Sequence, residues 1–202
     1  MRPILNRNNK KKIFNDPVYG FISIPDEFIF DLIEHPYMQR LRRIMQLGMS
    51  HLVYPGALHT RFHHVLGAMH LMTLAVATIR RKGHQITDVE ERAVLTAILL
   101  HDIGHGPFSH ALEYDIVSGV SHEEISGFFI ERLSKEFGSD MDQALLVFKN
   151  EHPKPFLHHN HRQLLCSKKY LLVTFLSFVQ LQLQPHLGGQ EALEHNQLKI
   201  QV

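Results

Sequence analysis

The residues with the most chemistry to offer stand in one short stretch, His101-Asp102-Ile103-Gly104-His105-Gly106-Pro107-Phe108-Ser109-His110-Ala111-Leu112-Glu113. Three histidines and two carboxylates fall within it. They follow Ala93-Val94-Leu95-Thr96-Ala97-Ile98-Leu99-Leu100, a run too apolar for a solvent-facing helix, which predicts a buried one. Ending a buried helix in His-Asp leaves ionisable groups at the edge of the core, where each would cost several kcal/mol unpaired. A divalent cation removes that penalty, because neutral imidazole and carboxylate are both good ligands for it. Gly104 and Gly106-Pro107 then break the helix and let the backbone turn closely around the site. A histidine-rich surface loop is the plainer alternative, and the clustering argues against it.

A second segment supplies a third ligand. Arg61-Phe62-His63-His64-Val65-Leu66-Gly67 opens a helix predicted to run to about Arg81. Phe62, Val65, Leu66, Met69, Met72 and Val76 form one apolar stripe, and Ala68, Leu71 and Ala75 form another, so the helix is sandwiched in the core. His64 lies on the second face and points inward, like the His101-Asp102 pair. Together His64, His101 and Asp102 are three ligands from two buried helices, which leaves positions open for water and substrate, as in a catalytic rather than a structural metal site. Such a cation acidifies water and polarises phosphoryl oxygens. His105, His110, Glu113 and His122 are the types that move protons or hold phosphate oxygens. Arg61, one turn from His64, matches two phosphate oxygens with its fork. Metal-assisted hydrolysis of a phosphate ester is the chemistry these types suit.

The elements that must position these groups follow from the rest of the chain. Its 202 residues suffice for one domain with or without a tail. The formal net charge of +1, from 21 basic and 20 acidic residues, gives no global attraction for nucleic acid or an acidic membrane. Histidine, at 17 residues, is the outlier. Cys166 is the single cysteine, which excludes an intrachain disulfide and suits a reducing compartment. Met1 to Lys12 lacks the apolar segment of a secretory leader. Leu171 to Val179, the longest apolar run, falls far short of the roughly 20 residues of a spanning helix. The expectation is a soluble, cytoplasmic protein without a membrane partner.

Residues 1–12 read as a flexible basic arm. Ile13 to Ile24 alternates loosely and is broken by Asn15-Asp16-Pro17 and Gly20, which predicts a hairpin. Asp26 caps a helix that Pro36 ends. A further helix is predicted through Gln39 to Leu47, stopped by Gly48, with Arg40, Arg42 and Arg43 either reaching phosphates or forming its wet face. Ser50 to Thr60 reads as a loop, Asp88 as the cap of the buried helix, and Asp115 to Val120 as another loop. Ser121 and Glu124 form a capping box before a helix carrying Phe128, Phe129, Leu133 and Phe137, and a short helix covers Asp140 to Lys149. The fold class is all-α with one small hairpin. From Phe156 onward aspartate is absent and Gln, Leu and His dominate. The tail, 156–202, is left unassigned.

These residues also carry a resemblance. His64, followed at a distance by His101-Asp102, resembles the opening of the HD-domain phosphohydrolases. More specifically, Phe14 to Gly20, Gln39-Arg40-Leu41-Arg42, Gln46-Leu47-Gly48, Tyr54-Pro55-Gly56-Ala57, His59-Thr60-Arg61-Phe62 and His101 to His110 resemble the deoxynucleoside triphosphate triphosphohydrolases, over about residues 13–155. This is the branch of the sterile-alpha-motif and HD-domain protein and the bacterial dGTPases. The resemblance implies an HD helical bundle over 13–155 and hydrolysis of a dNTP to deoxynucleoside and triphosphate by water attack at the α-phosphorus. It implies a divalent metal (Mn, Fe, Mg or Zn) on His64, His101 and Asp102, with Arg61 at the α-phosphate region and Gln46 at the sugar. His105, His110 and His122 would line the reacting phosphate, and His122 would protonate the leaving 5′ oxygen with help from Glu113. His63 stands where relatives often have glutamate. Homo-oligomers regulated by nucleotides are a further implication.

The resemblance also implies a fourth ligand, a later aspartate, yet no aspartate follows Asp142; Glu151, Glu191 and Glu194 are the carboxylates beyond it. Weak metal binding and impaired turnover are the expectation for this chain. Two alternatives stay open: a phosphodiesterase or nucleotidase on the same scaffold, and a nucleotide- or nucleic-acid-binding protein without turnover. The lack of a downstream Gly-Tyr-Pro speaks against a cyclic-dinucleotide hydrolase, and the near-neutral charge gives nucleic acid little encouragement.

Overall fold

The structure, a computed structural model, describes residues 12–108 and 121–149. The basic arm up to residue 11, the segment 109–120 that includes His110, Glu113 and the loop read at 115–120, and the tail from residue 150 lie outside the described residues. Strands β1 (Ile13–Asp16) and β2 (Gly20–Ser23) pair antiparallel, with Phe14 opposite Ile22 and Asp16 opposite Gly20. The Asp16 carboxylate closes the turn by accepting from the Val18 and Tyr19 N–H groups at 2.8 and 3.0 Å. Gly20 completes it at φ 71°, a conformation glycine adopts without strain.

Helices follow: α1 (Glu27–Glu34), α2 (Pro36–Gln39), α3 (Arg61–Arg81), α4 (Asp88–Leu100), α5 (His122–Phe137) and α6 (Ser139–Lys149). Asp26 caps α1, accepting from Ile29 N–H at 2.8 Å, as its position predicts. Helix α3 packs on α4 and on β2, α4 on α6, and α6 on α5. Both apolar stripes of α3 enter the core: Val65, Met69, Ala68 and Leu71 are buried, and so is every residue of α4 from Ala93 to Leu100. Among the described residues α3 is the one helix long and apolar enough to cross a membrane, and half of that window is buried inside the fold. The hairpin lies against α3 through Phe14, edge-on to Phe62, and through Tyr19, which covers Gly67 so closely that a Cβ there would come within 2.8 Å of its ring. Arg92 binds Asp26 at 3.0 Å and Asp140 at 3.2 Å, tying α1 and α6 to α4.

Two local expectations need correction. The helix predicted through Gln39 to Leu47 ends early: α2 passes into a 3-10 turn at Arg40–Arg43, and Ile44 is extended. The cause is pairing with the approach to α3, since Met45 bridges Thr60, Arg61 N–H donates to the Ile44 carbonyl at 2.8 Å, and Gln46 N–H donates to the His59 carbonyl at 3.1 Å. A second 3-10 turn, Gly48–Leu52, occupies the start of the predicted loop. Asp88 is the first residue of α4 rather than its cap. Thr87 takes that place because Glu90 reaches back to its N–H at 2.8 Å in a reciprocal box, whereas Glu91, three residues beyond Asp88, is bound to Arg80 at 2.5 Å. Ser121 and Glu124 make the predicted box at α5.

Candidate active site

Thr60 ends the extended approach to α3, and His63 closes its first turn by accepting from the Thr60 N–H at 3.3 Å. The imidazole thus serves in a capping position usually held by Glu or Gln. This start places Arg61 and His64 one turn apart on one face of α3. Helix α4 ends at Leu100, and His101 and Asp102 continue directly into a turn.

The two helices bring the three predicted ligands together. One donor atom from each of His64, His101 and Asp102 lies within 4.8 Å of the others. His64 Nε2 is 3.3 Å from His101 Nε2 and 3.7 Å from Asp102 Oδ2, and His101 Nε2 is 3.3 Å from Asp102 Oδ1. The His101 ring is held from behind: its Nδ1 lies 2.6 Å from the Ile98 carbonyl, which can only accept, so Nδ1 carries the proton. Nε2 therefore faces the cluster, the orientation a metal-binding histidine needs. Burial, then the neighbouring His101, pushes His64 down to about 4, so its ring is neutral near pH 7. Burial works to raise Asp102, but the hydrogen bond with His105 and the nearby His101 and Arg61 outweigh it and hold the carboxyl well below the usual range. Two imidazoles and a carboxylate in reach of one point fit a divalent cation.

Around this centre the other predicted groups divide. Arg61 is 3% exposed, and its Nη1 donates to Asp102 Oδ2 at 2.5 Å, so the residue expected at phosphate is fixed directly onto a candidate ligand. His105 is 3% exposed, with Nε2 3.5 Å from Asp102 Oδ1; burial lowers its pKa against the opposing pull of Asp102. His122, the first residue of α5, stacks on His105 with centroids 4.0 Å apart and planes 14° apart. Gln46 reaches the approach to α3 through its backbone pairing, and its Oε1 is buried without a hydrogen-bond partner among the described residues. Arg40 is half-buried rather than on a wet face: it donates to the carbonyls of Ile103 and His105. Arg42 lies over the Phe62 ring at 3.8 Å.

Gly104 permits a close approach other than the turn around the site that the sequence predicts. The close approach it permits is to the start of α5, not to the metal side: a Cβ would meet His122 O at 2.2 Å and Ser126 N at 2.4 Å. Both are backbone atoms, so relief requires moving the helix. Gly104→Ala is expected to destabilise the fold by about 1–3 kcal/mol and to pull His122 off His105. Thermal denaturation of the variant checks this, and an unchanged midpoint would contradict the close approach.

The HD-domain family profile matches residues 61–174, more than half of the chain, and spans His64, His101 and Asp102. The chain belongs to the HD-domain family. The chain is 41% identical over 118 residues to the uncharacterized protein YwfO of Bacillus subtilis, covering 58% of the chain and 27% of that protein. It is 42% identical over 105 residues to the human deoxynucleoside triphosphate triphosphohydrolase SAMHD1, covering 50% of the chain and 16% of that protein. The Dictyostelium discoideum homolog of SAMHD1 is 38% identical over 136 residues, which is 64% of the chain and 26% of that protein. Among solved structures, a phosphohydrolase from Bacteroides thetaiotaomicron is 50% identical with a TM-score of 0.70, covering 82% of the chain and 43% of its own. The HD chain thus spans about a quarter or less of these curated relatives.

Proposed function

We propose that the chain carries a metal-dependent phosphohydrolase site that acts on dNTPs, releasing deoxynucleoside and triphosphate. The observation that carries this reading is the convergence of His64, His101 and Asp102 from two buried helices, with Arg61 bound to the same carboxylate. His64, His101 and Asp102 would hold the cation, which supplies Lewis-acid polarisation of a phosphoryl oxygen and a more acidic water. Arg61, already fixed beside the ligands, would meet the α-phosphate region, and the unpartnered Gln46 Oε1 would accept from a sugar hydroxyl. Water attacks the α-phosphorus and the bond to the 5′ oxygen breaks. His122 would give its proton to that oxygen, with Glu113 assisting and His105 and His110 along the reacting phosphate. A nucleotide is then the partner, in homo-oligomers and a cytoplasmic setting, and the names of the SAMHD1 relatives support the dNTP class.

Among the described residues three candidate ligands cluster, of the four the resemblance implies, and slow turnover is the expected outcome. The test incubates the 202-residue chain with Mn²⁺ and a panel of dNTPs, NTPs and cyclic dinucleotides and identifies the products. Metal-dependent triphosphate from dNTPs is the expected outcome. Inorganic phosphate as the product, or cleavage of a cyclic dinucleotide, would reassign the substrate. Saturable dNTP binding with no product would make the chain a binding module.

A further inference from the structure

We infer that Arg40 is a positioning residue of this site: its guanidinium clamps the turn that carries His105, while Ser126 grips the same turn from α5. The inference rests on the phosphohydrolase reading above for its purpose, and on geometry for its content. Arg40 Nη1 donates to the His105 carbonyl at 2.8 Å and Nη2 to the Ile103 carbonyl, across more than sixty residues of sequence. Ser126, wholly buried, accepts from Gly104 N–H at 2.9 Å and donates to the His101 carbonyl at 3.1 Å. The carbonyls of residues 101, 103 and 105 and the N–H of 104 are therefore all taken by these two side chains.

The chemistry of Arg40 is unusual for a stabilising arginine. No carboxylate pairs with it among the described residues; its charge meets two carbonyls and the face of Phe129, 4.9 Å away, and its Nε is buried without a partner. A half-buried cation without a counter-ion is costly. What it gains here is a planar fork that spans two carbonyls at once. Those carbonyls flank the backbone of His105, whose ring must sit 3.5 Å from Asp102 on one side and stack on His122 on the other. With the fork removed, the turn rotates and the His105 ring leaves both contacts.

The test uses the full chain and reads two quantities. In metal-free protein, the rate of His105 modification by diethyl pyrocarbonate is followed by peptide mass spectrometry. In parallel, Mn²⁺ affinity is measured by calorimetry. Arg40→Gln is expected to raise His105 reactivity several-fold while circular dichroism and the unfolding midpoint show a folded chain, and to weaken Mn²⁺ binding about 10–100-fold, the usual cost of losing support behind a ligand. Arg40→Lys, which keeps the charge but not the fork, should fall between, and Ser126→Ala should expose His105 from the other side. Unchanged His105 reactivity in the folded variants overturns the inference, as does a rise that only follows lost global stability. Where Arg40→Gln fails to fold, Arg40→Lys decides on the same readouts. Absence of metal binding or turnover in the unsubstituted chain would defeat the phosphohydrolase reading instead, since the reactivity comparison needs neither.

Discussion

Asp102→Ala is expected to strip the site of its metal. Asp102 is the one carboxylate among the three clustered ligands, so its loss removes the negative charge facing the cation. It also leaves Arg61, 3% exposed, with no carboxylate across a 2.5 Å contact. Breaking a buried ion pair by removing one partner costs about 3–5 kcal/mol. The variant should therefore lose both metal and thermal stability. His101→Ala separates the two effects: it deletes a candidate ligand whose Nδ1 is held by the Ile98 carbonyl and leaves the Arg61–Asp102 pair in place. That variant should lose metal with a smaller drop in stability. Elemental analysis of the purified proteins, beside their unfolding midpoints, checks both. Unchanged metal content would remove these residues from the ligand list.

His122→Ala should behave in the opposite way, sparing metal and fold while slowing turnover by about 10²–10⁴-fold, the usual contribution of a general acid. The geometry behind this expectation is its position outside the ligand cluster, stacked on His105 and held by the Ser121–Glu124 cap that starts α5. The start of a helix also favours the anionic groups that a leaving triphosphate presents. Single-turnover measurement with the chain in excess resolves slow rates and reports this step directly. Loss of metal equal to that of Asp102→Ala would contradict the role and make His122 part of the metal's support.

The HD relatives set the context for these experiments. SAMHD1 proteins match over roughly half of this chain, and the HD-domain match over residues 61–174 spans Arg61 and the three candidate ligands. Gly104→Ala and the Arg40 variants then ask how the turn between α4 and α5 is held, which no single ligand substitution can answer.

What the sequence determined by itself is what short-range physics controls. The two apolar stripes of α3 and the unbroken apolar run of α4 announce buried helices because a 3.6-residue period is written in neighbouring residues. Asp26 and the Ser121–Glu124 box are legible for the same reason, since capping bonds close within three residues. The cluster of His64, His101 and Asp102 was visible as residue types that two buried helices would have to satisfy. The tertiary structure decided the rest. That Arg61 would spend a nitrogen on Asp102 depends on a contact 41 residues away, and the hold of Arg40 on the His105 carbonyl on one 65 residues away. Arg40 stood among Arg42 and Arg43 with nothing local to mark it, and Ser126 with less. The helix through Gln39 to Leu47 failed for a related reason: its local propensity lost to a pairing of Met45 with Thr60 that no period in the segment could reveal. Periods and caps report bonds that a residue makes within a turn of itself; which backbone crosses which, and what it holds there, is set only when α3, α4 and α5 pack together.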